Sequence, residues 1–138
     1  MNSEWAKNLA ERKKSELEAK RLQQEKDLND RKLLDTNADK MWVEVRRAAS
    51  GCCRELNSSM GSDYIKFEGA SYHNSFTLIT PEATYTATFS PQTWLLSAQG
   101  TTYTLVVTEG NSVLWKDTQG NTLPSESVAQ NIVGAAFR

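Results

Sequence analysis

The first 57 residues contain no proline and one glycine, Gly51, while the rest of the chain carries all three prolines and six of the seven glycines. Proline breaks the helical hydrogen-bond ladder, and interior glycine weakens it. The first stretch is therefore free to run as helix, and the second is cut into short pieces. The change falls at Asn57-Ser58-Ser59-Met60-Gly61-Ser62, which reads as a loop. Charge divides at the same place. Lys plus Arg is 13 against 11 Asp plus Glu up to residue 57, and 3 against 6 beyond it, so the halves carry +2 and −3.

Good helix formers fill the first half, and its charges recur at helical spacing. Glu16/Lys20 and Asp27/Arg31 have the favoured order; Arg12/Glu16, Lys14/Glu18, Arg21/Glu25, Lys26/Asp30 and Lys40/Glu44 have the reverse. Each pair contributes roughly 0.2–0.5 kcal/mol. At about 100° per residue, Leu34, Ala38, Met41, Trp42, Val45, Ala48, Ala49, Cys52, Cys53 and Leu56 share one stripe roughly 140° wide. A stripe of that width has to pack on something. The leucines nearer the N-terminus leave it. Leu17 and Leu28 fall to one side, Leu22 and Leu33 to the other, and Trp5 and Leu9 return near its axis. The two leucine pairs are each 11 apart, the spacing of a hendecad seam, though two repeats define no coiled coil. Asp35-Thr36-Asn37 are poor helix formers and Asn37 is a plausible cap, so the sequence leaves open whether one helix or two cover this half.

The second half reads as strands with one buried face. Inward residues alternate with polar ones at Ile65–Gly69, Tyr85–Phe89 and Tyr103–Val107, and short segments at 76–80, 94–98 and 113–117 add three more. The connections Thr80-Pro81-Glu82, Ser90-Pro91-Gln92, Gln99-Gly100-Thr101 and Glu109-Gly110-Asn111-Ser112 carry turn chemistry. Short links between consecutive strands make hairpins, so the expected sheet is an antiparallel meander of about six strands, spanning residues 63–118. A helix over 124–137 follows, with Pro124 in its first turn, Ser125 as cap, and Val128, Ile132, Val133 and Ala136 as its apolar stripe.

A one-faced sheet needs a cover, and the stripes at 34–57 and 124–137 supply it. The expected fold class is therefore α+β, with helices on one face of a meander and a core of Trp42, Val45, Ala49, Cys52 and Leu56 against Phe67, Tyr85, Phe89 and Leu105. The expected organisation is a globular domain at 34–138 and a charged helical arm at 1–33. A continuous helix over the first 57 residues would be about 85 Å long, against about 30 Å for the globule.

Composition excludes several functions. A net charge of −1 argues against a dedicated nucleic-acid binder, and one histidine excludes any metal site needing two. The longest apolar runs are too short to span a membrane, and charges near Met1 interrupt any secretory signal, which makes the cytoplasm the default compartment and leaves the Asn57-Ser58-Ser59 glycosylation triplet without meaning. Cys52-Cys53 lack the gap of a redox or zinc pair and read as small buried residues, not as a nucleophile served by His73. His73 reads as a solvated loop residue. The basic doublets Lys13-Lys14, Lys20-Arg21, Arg31-Lys32 and Arg46-Arg47 are interleaved with acids and read as a salt-bridged solvent face. The threonines between Thr77 and Thr108 read as the wet side of the sheet.

No cofactor, metal or catalytic constellation is expected. The arm, which the globule cannot use, points to a non-enzymatic interaction module that associates with itself or another protein through Trp5, Leu9, Leu17, Leu22, Leu28 and Leu33. The alternative is a small apolar-ligand binder with a pocket between sheet and helices, lined by Tyr64, Phe67, Tyr85, Phe89, Trp94 and Tyr103.

Overall fold

The computed structural model describes residues 3–69 and 74–138. His73 lies outside the described residues. The first half is one helix, α1 (Ser3–Met60). It does not break at Asp35-Thr36-Asn37. Leu34 and Ala38 are buried on either side of the weak triplet, and the Asn37 side chain donates to the Leu33 carbonyl at 2.8 Å. Asn37 thus braces the helix interior and caps nothing. Burial of the flanking turns outweighs three unfavourable local propensities.

Seven strands follow: β1 (Lys66–Glu68), β2 (Ser75–Ile79), β3 (Thr84–Ser90), β4 (Leu95–Ala98), β5 (Thr101–Thr108), β6 (Ser112–Lys116) and β7 (Thr122–Leu123). They form one sheet in sequence order, every pair antiparallel. The seventh strand exceeds the expected six. Asp117 creates it, for its carboxylate accepts from the backbone N–H of Gln119 and Asn121 at 2.9 Å each, and its own N–H donates to the Asn121 carbonyl. That turn folds Thr122–Leu123 back beside Trp115–Lys116. Trp94 belongs to the turn before β4 and not to the strand, with a left-handed φ of 55°.

Cross-strand register builds the core. Phe67, Leu78 and Tyr85 form one inward row, Phe89, Leu96 and Tyr103 another, and Leu105, Trp115 and Leu123 a third. Trp42 of α1 stacks on Phe76 and on Phe89, with ring centroids 5.6 Å apart in both cases, and Phe89 meets Trp115 edge-on. The short helix α2 (Ser125–Phe137) lies beside α1 on the same face of the sheet and buries Val128, Ala129, Ile132, Val133 and Ala136. Pro124, not Ser125, holds its cap position. Ser125 is buried instead, and it ties three elements together. The Trp115 indole N–H donates to its hydroxyl at 3.1 Å, and that hydroxyl donates to the Met41 carbonyl at 3.4 Å.

The end of α1 is fastened by Asn57, which donates to the Ile65 carbonyl at 2.8 Å and accepts from the Ile65 N–H at 2.9 Å. The polar positions of the meander face outward, where Ser75, Thr88, Ser97 and Thr102 line up across four strands.

Candidate interaction site

The six arm residues divide. Trp5, Leu9, Leu17, Leu22 and Leu28 are exposed, Trp5 by 68% and Leu28 by 58%, and Leu33 is half-buried where α1 meets the globule. From Ser3 to Leu34 the helix rises about 46 Å at 1.5 Å per residue. Their different angular positions keep them from forming one seam. Between them, Arg21 bridges Glu18 and Glu25, and Lys26 reaches Asp30 at 3.5 Å. These exposed pairs rigidify the arm slightly and add little stability.

Within the globule, the buried stripe of α1 is rotated from the expected one. Leu34, Ala38, Met41, Trp42, Val45, Arg46, Ala49 and Cys53 are buried, while Ala48, Cys52 and Leu56 are only half-covered. Phe67 and Tyr85 are likewise half-buried. The helix turns toward β1, where the Arg46 guanidinium lies 3.4 Å from the place a side chain at Gly69 would occupy. The side left uncovered becomes the wall of a groove between α1 and α2.

That groove has an open volume of about 510 Å³, with Ala48, Gly51 and Cys52 on one side and Pro124, Glu126 and Gln130 on the other. It continues past Leu56 and Ser59 to Gly134. Glu44, Glu55 and Glu126 line it, with Arg47 as the cation among its described lining residues. Sequence reasoning missed this feature. Its available signal was Gly51, the lone glycine of a long helix, one turn from Ala48.

Cys52 sits at this wall, while Cys53 is buried on the side of α1 nearer β1. Burial pushes the Cys52 thiol up, helped by the nearby Glu55 and Glu126 carboxylates. Burial, then Cys52 beside it, pushes Cys53 up to about 11. Neither environment favours a thiolate nucleophile at neutral pH. Among the described residues, no three His, Cys, Asp or Glu side chains gather where they could hold a metal ion, and no helix is long and apolar enough to cross a membrane.

A separate cavity of about 50 Å³ lies between α2 and the sheet. It exists because Ala87 and Ala98, paired across β3 and β4, are too small to reach Ile132 and Ala135. Of the six aromatics expected to line a pocket, Tyr85 and Tyr103 do so. Burial raises the Tyr103 phenol, partly offset by its hydrogen bond with Asn131. Phe67 packs on Phe76, Phe89 on Trp42, and Tyr64 on Phe137. Neither a protein-family model, nor a curated protein, nor a solved structure matches the chain.

Proposed function

We propose that this chain is a non-enzymatic assembly module whose N-terminal arm, residues 1–33, docks on another chain. The observation that carries the reading is the exposure of Trp5, Leu9, Leu17, Leu22 and Leu28 on a helix continuous with one anchored in the core. An isolated charged helix is marginal in water, and its internal ion pairs supply only tenths of a kcal/mol each. Contact with a second chain gives exposed arm side chains a use and the arm a reason to stay helical. Sedimentation of the full chain beside a chain lacking residues 1–33 tests the proposal. The expected result is a folded, cooperatively melting truncated chain that has lost self-association or partner capture. A full chain that stays monomeric at high concentration and captures nothing the truncated chain misses ends it.

The cavity beneath α2 favours a second reading, a small apolar-ligand binder. Its volume, about 50 Å³, is well below the roughly 300–1,000 Å³ of pockets for drug-sized ligands. It would admit only the tip of a ligand, with Tyr103 and Asn131 at its polar side. A shift in melting temperature with phenol or a short aliphatic alcohol, lost in Ala98→Leu, is the expected signature of that reading.

A further inference from the structure

The arm reading leaves the identity of the partner open, and the groove between α1 and α2 answers it. We infer that the occupant of this groove is the arm of a second copy of the same chain, the two α1 helices running antiparallel about a twofold axis near Leu33. The inference rests on the arm reading and adds its partner and its docking surface.

Three features of α1 agree on this arrangement. The first is the face. At about 100° per residue, Ala48, Gly51, Cys52 and Glu55 occupy the same sector of the helix as Trp5, Ala19, Leu22 and Leu33. In a twofold antiparallel pair each helix presents the same face to its mate, so one sector must carry both the projections and the recess that receives them. Here it does. The second is steric. Ala48, Gly51 and Cys52 let a partner backbone come close, and these are the positions that the sheet leaves half-covered. Gly51 lacks a side chain without any need for that within its own copy. A Cβ added there meets nothing nearer than the Arg54 guanidinium, 4.0 Å away.

The third feature is charge. In a register where facing residue numbers add to about 68, Arg12 of one copy lies by Glu55 of the other, Lys26 by Glu44, and Glu18 by Arg47. The same register puts Ala19 over Gly51 and Leu22 beside Ala48, and carries Trp5 past the last turn of α1. Leu33 meets its own counterpart at the axis. Leu17 and Leu28 stay on the outer side of the pair. A net-positive arm thus enters a groove lined by three carboxylates.

The test uses the full chain and its melting curve and sedimentation. The parent is expected to be a dimer. Gly51→Leu is expected to melt at or above the parent temperature, since leucine favours the helix and has open space, and to sediment as a monomer. Glu55→Arg alone is expected to weaken the dimer by about tenfold or more. Combining it with Arg12→Glu is expected to restore the dimer. If the parent associates and loses that on deletion of residues 1–33, yet Gly51→Leu associates as tightly as the parent, the groove is not the docking surface and only this inference falls. Failure of the charge exchange to restore association also overturns it, and decides the matter should Gly51→Leu not fold. A parent that is monomeric at high concentration overturns both this inference and the arm reading.

Discussion

Residues 3–33 and 34–60 belong to the same helix and obey different rules. In the second stretch the side chains that matter are fixed by what they touch. Trp42 is held between Phe76 and Phe89, Val45 has no exposed surface, and Asn57 binds Ile65 from both sides. In the first stretch Trp5, Leu9, Leu17, Leu22 and Leu28 are exposed, and they stand at scattered angles among ion pairs. A helical backbone is therefore no measure of how much a segment contributes to the fold. What separates the stretches is the width and continuity of the apolar stripe, because tertiary burial and not intrinsic propensity stabilises most helices.

The sharpest way to break that contrast is to place the same charge in both stretches. Val45→Asp buries an unpaired carboxylate in the core, which costs several kcal/mol against a total stability of about 5–15, so the globule is expected to unfold. Leu28→Asp in the arm is expected to change the melting free energy by no more than about 0.5 kcal/mol. Circular dichroism melts of the two variants check this, and a Val45→Asp chain that melts like the parent would remove α1 from the core.

Next in size is the fastening at the end of α1. Asn57→Ala removes two hydrogen bonds to Ile65, one donated and one accepted, and leaves a buried backbone pair to find water. A loss of about 1–3 kcal/mol is expected by urea titration. Amide exchange is expected to quicken in the last turns of α1 and in β1 while the arm stays as it was.

Cys53 sharpens the comparison through pH. Its folded-state pKa, about 11, lies above its ordinary value of 9.0 because burial disfavours the thiolate. The folded state keeps the proton longer than the unfolded one. The contribution is therefore fully present below pH 9 and is lost as pH rises from there through about 11. Cys53→Ala is expected to flatten the fall in stability over that window, measured by denaturant titration at stepped pH. Thiol labelling of the native parent at neutral pH is expected to be slow, and labelling of the unfolded chain fast.

The smallest expected effect concerns a turn. Gln99 and Gly100 both have positive φ, 46° and 84°, in the two-residue loop joining Ala98 to its partner Thr101. Such a loop matches strand twist best with Asn-Gly, and glutamine tolerates the left-handed region poorly. Gln99→Asn is expected to raise stability by roughly 0.4–1 kcal/mol, offset in part by loss of the Gln99 side-chain hydrogen bond to the Thr84 carbonyl.

Six strands of the meander were legible because three of them alternate and the links 80–82, 90–92, 99–101 and 109–112 carry turn residues; β7 was not. Phe76/Leu78, Ala87/Phe89 and Tyr103/Leu105 all face inward as their period of two requires. The helix stripe was legible in place but not in rotation. Periodicity shows that a face is apolar; which part of it is covered depends on a second surface, here the sheet leaning toward Arg46 and Cys53 while Ala48 and Cys52 turn to α2. Continuity across Asp35–Asn37 was not legible either, since Leu34 and Ala38 hold those turns through contacts that local propensity does not encode. The groove escaped notice for the same reason. It is made by two helices far apart in the chain, and only Gly51 hinted at it.

Among the described residues the sheet stays open, its order running from β1 to β7 with those two at the margins. Each margin is short, three residues in β1 and two in β7. An unpaired strand is a template for another chain, and its hazard grows with its length. Lys66 and Glu68 add charge to one border, and a tight Asp117 turn precedes the other. The fold thus shortens the surfaces through which β-proteins stick to one another indiscriminately. Copies of this chain crowded together would find little edge to share at β1 and β7.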